Sequence, residues 1–201
     1  MPRRTAAEAA TTRRTILETA RATFAEDSYH AATLDAIAER AGVTRGAIHH
    51  HFGDKRMLFV EVFEQVEREI NDAVVTAALT APPAGLAPFA AGCRTLFGLY
   101  DRPDIRRIVL ADAPAVLGLV GWYEIDRGLG MDTMRAGLRS MADDGLVDPA
   151  RVEPLALLLY GALTEASLAL GTGQTPLDAD AVIDTVEHLL AGFAPSGPGD
   201  R

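Results

Sequence analysis

The sequence predicts an all-α fold of two parts, a small N-terminal head and a larger helical body. Two observations carry that prediction: apolar residues recur at i, i+3, i+4 and i+7 through most of the 201 residues, and period-two runs rich in Val, Ile and Thr are nearly absent. A third sets the boundaries, since small polar caps, glycines and prolines fall between the periodic stretches.

The first helix is expected from about Thr11 to Glu26, with Ile16, Leu17, Ala20 and Phe24 on one stripe. Thr33 is placed to cap a second helix that carries Leu34, Ile37, Ala38 and Ala41 before Gly42 stops it. Thr44 caps a third helix, which runs to about Phe52 with Ile48 and Phe52 on its inner face. Asp54 caps a long fourth helix in which Phe59, Phe63, Val66, Ile70 and Val74 repeat, ending near Thr80. Ala81-Pro-Pro-Ala-Gly85 is the clearest break, because its two prolines cannot continue a helix. Beyond it, helices are expected at Leu86 to Tyr100, Pro103 to about Ala111, about Leu117 to Asp143, about Pro149 to Leu170 and Ala179 to Ala194. The glycines at 118, 121, 128 and 130 predict either a broken helix around Trp122 or a loop whose glycines cap helix ends. The resulting division is a head over residues 1–56, a body over 57–194, and a tail over 195–201 whose Gly and Pro content predicts disorder.

Thr33 to Phe52 is therefore two short amphipathic helices separated by Ala41-Gly42-Val43, the arrangement of a helix-turn-helix. Gly42 supplies the positive φ of the turn, and the small Ala38 and Ala41 permit close helix approach. The third helix then offers Thr44, Arg45, Gly46, His49 and His50 outward, a set suited to the DNA major groove. The fork of Arg45 matches guanine O6 and N7, Gly46 leaves room for the backbone to approach, and the two histidines can donate to phosphate or base acceptors. Thr33 adds a hydroxyl at a helix start, and Lys55, the chain's single lysine, can hold a phosphate at the start of the fourth helix. The three adjacent histidines do not make a metal site, because neighbouring helical positions point about 100° apart.

The run Thr33-Leu-Asp-Ala-Ile-Ala-Glu-Arg-Ala-Gly-Val-Thr-Arg-Gly-Ala-Ile-His-His-His-Phe-Gly-Asp-Lys-Arg-Met-Leu58, with Arg14-Thr-Ile-Leu-Glu-Thr-Ala and Phe24-Ala-Glu before it, resembles the DNA-binding domain of the tetracycline-repressor (TetR) family. The resemblance covers roughly residues 11 to 63, without a gap. His49 departs from it, standing where the family commonly has a tyrosine whose hydroxyl touches a phosphate. It implies a homodimer whose last two long helices form a four-helix interface, an effector pocket in the body, and release from a near-palindromic DNA operator when a small molecule enters.

The residues themselves also point to a dimer. Leu155, Leu158, Leu159, Ala162, Leu163 and Ala166 leave one late helix with little polar surface, and Val182, Val186, Leu189 and Phe193 stripe the last. For the pocket the candidates are Phe97, Tyr100, Trp122, Tyr123, Met131, Met134 and His188, with Trp122 foremost. Asp112, Glu124, Asp126, Asp143 and Asp144 read as solvated faces. A body poor in basic residues points to a neutral or cationic lipophilic effector.

The net charge of −9 divides unevenly: residues 1–60 hold nine basic against seven acidic side chains, and residues 61–201 hold ten against 21. A polyanion is thus expected to meet the head and be repelled by the body. One cysteine excludes an intrachain disulfide and a cysteine-cluster metal site. No apolar run near the N-terminus resembles a signal peptide, and the apolar Leu155 to Leu170 stretch is shorter than the roughly 20 residues a bilayer needs, so a cytoplasmic protein without membrane contact is expected. No nucleophile elbow, phosphate loop or dinucleotide fingerprint is present, which argues against an enzyme, and neither a cofactor nor a metal is expected. The alternative to a ligand-responsive repressor is an architectural DNA-binding protein that senses no effector.

Overall fold

A computed structural model describes residues 6–172 and 177–193. The expected tail at 195–201 lies outside them. The described residues form helices α1 (Ala6–Ala31), α2 (Leu34–Ala41), α3 (Arg45–Phe52), α4 (Lys55–Thr80), α5 (Ala87–Tyr100), α6 (Pro103–Ile105), α7 (Ala113–Asp143), α8 (Val152–Thr172) and α9 (Ala179–Ala191). No strand occurs among the described residues, so the all-α prediction holds.

The local signals set most ends. Thr33 Oγ1 accepts from Ala36 N, Thr44 Oγ1 from Ala47 N, and Asp54 Oδ1 from Met57 N, at 3.1, 3.2 and 2.8 Å. Each side chain satisfies a backbone donor that a helix start leaves open. Gly42, at φ 67° and ψ 31°, closes α2 with its own N–H on the carbonyls of Ala38 and Glu39.

Two places differ from expectation. α1 begins at Ala6 and breaks at Ser28, whose φ of 69° and ψ of 162° interrupt the helix before its last turn. The expected gap between the short helix at Pro103 and the long helix at Leu117 is absent: Arg106–Asp112 is a π-helical stretch that runs directly into α7. The only break within α7 is at Gly118, at φ 72° and ψ 163°, and the helix continues through Gly121, Gly128 and Gly130. Wide π-helical turns usually accompany functional sites, since they cost backbone hydrogen-bond geometry.

The described chain divides into two compact units, Met1–Val66 with Pro103–Trp122, and Glu67–Arg102 with Tyr123–Arg201. The first is wider than the expected 1–56 head. Its core joins Ile16, Ala20 and Phe24 of α1, Ile37 and Ala38 of α2, Ile48 and Phe52 of α3, Phe59 and Phe63 of α4, and Ile105 and Ile108. Phe24 meets Phe59 edge to face at 5.2 Å between ring centroids, a favourable quadrupolar arrangement.

In the second unit, Met131, Leu138 and Met141 of α7 pack with Val152, Leu155, Ala156, Leu159 and Tyr160 of α8 and Val186 and Leu190 of α9. A neighbouring cluster joins Ala90, Cys93 and Phe97 of α5 to Leu163 and Ile183. Burial pushes the Cys93 thiol up to about 12, which makes it an inert core residue.

The expected dimer residues need correction here. Leu155, Leu159, Leu163 and Val186 are 4 to 6% exposed and belong to the chain's own core. Of the α8 residues that read as surplus, Leu155, Leu159 and Leu163 are used internally, whereas Leu158 and Ala162 are exposed. The outer edge of α8 exposes Leu157 and Leu158, 52 and 65% accessible, beside Gly161 and Ala162, while α9 exposes Leu189 at 56%. Val182 and Phe193 are half-buried. Two helices, Pro103–Asp143 and Pro149–Gly171, are long and apolar enough by length and composition to span a membrane, so the second is longer than the apolar stretch alone suggests.

Candidate nucleic-acid interface

The turn between α2 and α3 is built from the backbone up. Val43 N donates to Ala38 O at 2.9 Å, closing the chain around Gly42, and Thr44 then starts α3 from an extended conformation. Ile48 and Phe52, 0 and 6% exposed, hold α3 against the core, and the opposite face follows from helical spacing. Thr33, Thr44, Arg45, Gly46, His49 and His50 are all exposed. Five of these six sit on or immediately before α3, so the sequence-derived set forms one surface.

Gly46 is informative because nothing inside the chain requires it. A Cβ built there meets only Thr44 Oγ1, at an ordinary 3.8 Å. Its φ is not in the left-handed region either, so the missing side chain leaves space on the outside, where a backbone or base edge can approach. The hydroxyls of Thr33 and Thr44 accept from the backbone yet keep their own protons to donate. Arg45 Nη1 pairs with Asp35 Oδ2 at 2.9 Å, both side chains more than half exposed. Such a surface pair is worth about 0 to 1 kcal/mol, so it can orient the guanidinium and still yield to a stronger acceptor.

Lys55 has a role that sequence reasoning missed. Its Nζ donates to the carbonyls of Tyr29 and Ala32, both at 2.9 Å, and lies 4.3 Å from the centre of the Tyr29 ring. An ammonium has three protons, so two are committed to closing the end of α1 and one remains for a phosphate. Its being the only lysine in the chain is the signal that could have suggested a special position.

Asp112 also requires correction. It is 7% exposed, not on a solvated face, and its Oδ2 accepts from Tyr29 N at 2.8 Å. Arg21 Nη2 reaches Asp104 Oδ2 at 3.2 Å in the same unit. The Pro103–Asp112 segment is thereby fastened to both the middle and the end of α1.

The candidate pocket residues divide between the units. Trp122, 3% exposed, belongs to the first, with an indole N–H that finds no acceptor. Phe97, Tyr100 and Met131 of the second are buried, and Tyr123 and Met134 are half-buried against its core. Beside them are two acids the sequence analysis did not select. Glu67 is 5% exposed, and its Oε1 has no hydrogen-bond partner. It falls in register with the apolar stripe of Phe63, Ile70 and Val74, and a charged residue on such a stripe was the available signal. Asp126 is half-buried, not solvated, and its Oδ2 accepts a 2.6 Å hydrogen bond from Tyr160 Oη. Burial and the neighbouring Asp126 hold the Glu67 carboxyl well above the usual carboxylate range, and burial raises Asp126 against the lowering effect of the Tyr160 hydroxyl.

Residues 16–62 match the sequence pattern of bacterial regulatory proteins of the tetR family, and residues 86–193 match that of the tetracyclin repressor-like C-terminal domain. The probable acrEF/envCD operon repressor of Escherichia coli strain K12 is 45% identical over 85 residues, 41% of this chain and 39% of that protein. The transcriptional repressor AcnR of Corynebacterium efficiens is 54% identical over 48 residues, 24% of this chain and 26% of its own. The match thus spans well under half the length of these curated relatives. A tetR-family transcriptional regulator from Pectobacterium atrosepticum has the same fold at a TM-score of 0.81 and 34% identity, over 96% of this chain and 99% of that one. FadR of Bacillus subtilis, solved with stearoyl-CoA, shares the fold at a TM-score of 0.69 and 17% identity, over 90% and 99% of the two chains. With both halves matched and a 34% identical relative covered almost end to end, the chain belongs to the tetR family of bacterial transcriptional regulators.

Proposed function

We propose that this regulator is a cytoplasmic repressor that binds a near-palindromic DNA operator as a homodimer and is released by a small-molecule effector. The observation that carries the reading is the outer face of α3, where Thr44, Arg45, Gly46, His49 and His50 stand exposed on a helix whose other side is locked into the core. Arg45 reads a base edge, while His49, His50, Thr33, Thr44 and the remaining proton of Lys55 fix the register on phosphates. Residues 1–56 are the DNA-binding part, and residues 57–194 bind the effector and the second protomer.

The dimer face we assign is the exposed edge of α8 and α9, with Leu157, Leu158 and Leu189 around the small Gly161 and Ala162. Large apolar side chains flanking small ones let two helices approach closely and remove apolar surface from water. Two such protomers present their α3 helices about one DNA turn apart, roughly 34 to 36 Å, or more. The same face accounts for the apolar length of α8 without a bilayer.

Release works through the segment fastened to α1. Asp104 and Asp112 grip Arg21 and the Tyr29 N–H, so a shift of the Pro103–Asp112 stretch carries α1, and with it the end that Lys55 closes. An effector acts by favouring the non-binding arrangement, typically by about 1 to 3 kcal/mol. The deciding experiment compares binding of the purified protein to its own upstream intergenic DNA and to random DNA of equal length, at near-physiological salt. Preference on the order of a thousandfold supports the regulator. Equal binding to both moves the assignment to an architectural protein.

A further inference from the structure

We propose that Glu67, Asp126, Tyr100 and Tyr160 form the recognition site for a protonated amine carried on an apolar frame. The inference rests on the effector reading above and names the class of effector. α4 supplies Glu67, α5 supplies Tyr100, α7 supplies Asp126 and α8 supplies Tyr160, and all four belong to the same compact unit. Both carboxyls act electrostatically on each tyrosine hydroxyl, and Tyr160 Oη donates to Asp126 Oδ2 at 2.6 Å.

The case begins with an unmet demand. A carboxyl oxygen buried without a donor forfeits hydration and receives nothing in return, so native chains rarely keep one without a use. Glu67 Oε1 is such an atom, in a side chain 5% exposed. Among the described residues, neither Glu67 nor Asp126 has an ion pair with an arginine, lysine or histidine. The missing component is therefore a hydrogen-bond donor, and a positively charged one satisfies both acids at once.

The surroundings are prepared for that occupant. Gly130, one turn beyond Asp126, leaves the space that the Tyr160 ring fills: a Cβ there lies 2.7 Å from Cε2 and 2.9 Å from Oη of Tyr160. The glycine thus seats the phenol whose proton goes to Asp126 Oδ2, and so orients that carboxyl. Met131 and Leu159 share the apolar cluster of Tyr160, with Tyr123 and Met134 packed against it, and these side chains suit a hydrocarbon or aromatic frame. An anionic ligand would oppose the ionisation of either carboxyl in a poorly screened interior and would bring no proton to the unpaired Glu67 oxygen.

Recognition carries a proton signature. With their carboxyls raised, Glu67 and Asp126 hold protons to a higher pH than ordinary acids. An incoming ammonium favours the ionised form, so a carboxyl proton leaves to solvent while the ammonium takes its place as donor. Affinity for the amine then rises with pH until the carboxyls are ionised in the empty protein. The titratable and charged groups around the site are Glu67, Tyr100, Asp126 and Tyr160, with Tyr123 6.5 Å from Tyr160 between ring centroids and Arg127 over the Tyr123 ring; Tyr100 and Tyr160 are themselves raised, so the carboxyls set the profile.

The test is calorimetric titration of the full chain with decylammonium, 1-decanol and decanoate, which share a tail and differ in head, below their aggregation limits at pH 6 and pH 8. The expected result is at least tenfold tighter binding of decylammonium than of decanol, decanoate weakest, and proton release seen as a heat that depends on the buffer. Glu67→Gln should remove the preference of decylammonium over decanol and the buffer-dependent heat, and Asp126→Asn serves the same purpose should Glu67→Gln fail to fold. Decanol or decanoate binding as tightly as the amine, or an amine preference that survives both substitutions, overturns the proposal. Operator binding by the ligand-free protein is measured separately. If it holds while the amine is not preferred, the amine assignment alone fails; if the amine is preferred but the operator is neither bound nor released, the site stands and the repressor reading fails.

Discussion

The outer face of α3 and the acids of the second unit handle polar groups in opposite ways. On the outer face of α3 every candidate contact is in water, held by short local bonds such as Ala47 N to Thr44 Oγ1, and the ion pair of Arg45 with Asp35 is exposed and weak. In the second unit, Glu67 is buried without a donor and Asp126 is raised beside it. The head spends nothing to keep its donors ready for a polyanion arriving from solution. The body keeps acids where burial opposes their charge, a cost that a ligand of matching charge relieves.

The largest expected effect tests the claim that the head's polar groups are inexpensive, because Lys55 is the exception. Lys55→Ala leaves the carbonyls of Tyr29 and Ala32 without their charged donor. It should lower stability by about 2 to 3 kcal/mol, read in urea unfolding, and weaken binding to operator and random DNA alike. Unchanged stability would make Lys55 a phosphate contact alone. Next comes Arg45→Ala, which should cost roughly 1 to 3 kcal/mol of operator affinity and little on random DNA, since its pair with Asp35 contributes almost nothing to folding. Equal loss on both DNAs in competition binding would remove the base-reading role.

The body side is sharpened by Glu67→Leu. Taking away an unpaired buried carboxyl should stabilise the ligand-free protein by on the order of 1 to 3 kcal/mol near neutral pH. The sign of the pH dependence follows from the raised carboxyls. Unfolded, Glu67 ionises near 4.5 and Asp126 near 3.8, whereas in the folded chain both stay protonated to higher pH. Across that interval the unfolded state holds fewer protons, so stability falls as pH rises and levels off above the folded values. Glu67→Leu should flatten the fall when unfolding is measured at pH 5 and pH 8, and an unaltered slope would place its origin elsewhere. The smallest effect belongs to Ser28, a non-glycine residue at φ 69°. Ser28→Gly should raise the melting midpoint by relieving about 1 kcal/mol of backbone strain.

Much of the head was legible because its signals are local. Thr33, Thr44 and Asp54 cap, Gly42 turns, and Ile48 and Phe52 face inward, all within a few residues of one another. The exposure of the α3 face was therefore legible, although the commitment of Lys55 to carbonyls 23 and 26 residues away was not visible. Asp112 and Asp126 were misread for the same reason: their partners, Tyr29 and Tyr160, lie 83 and 34 residues off. The apolar stripe of α8 was recognised, but Leu155, Leu159 and Leu163 went to the core, leaving Leu157 and Leu158 outside.

By itself the sequence determined the helical class, the turn between α2 and α3, most helix ends and the exposed face of α3, because hydrophobic period, caps and glycine conformation act between near neighbours. Only the tertiary structure decided which face of α8 is core, that Asp112 ties the π-helical stretch to α1, that Asp126 accepts from Tyr160, and that Glu67 is buried with one oxygen unpaired. Burial and pairing depend on what packs opposite a residue, and that neighbour is set by the whole fold, not by the residues beside it in the chain.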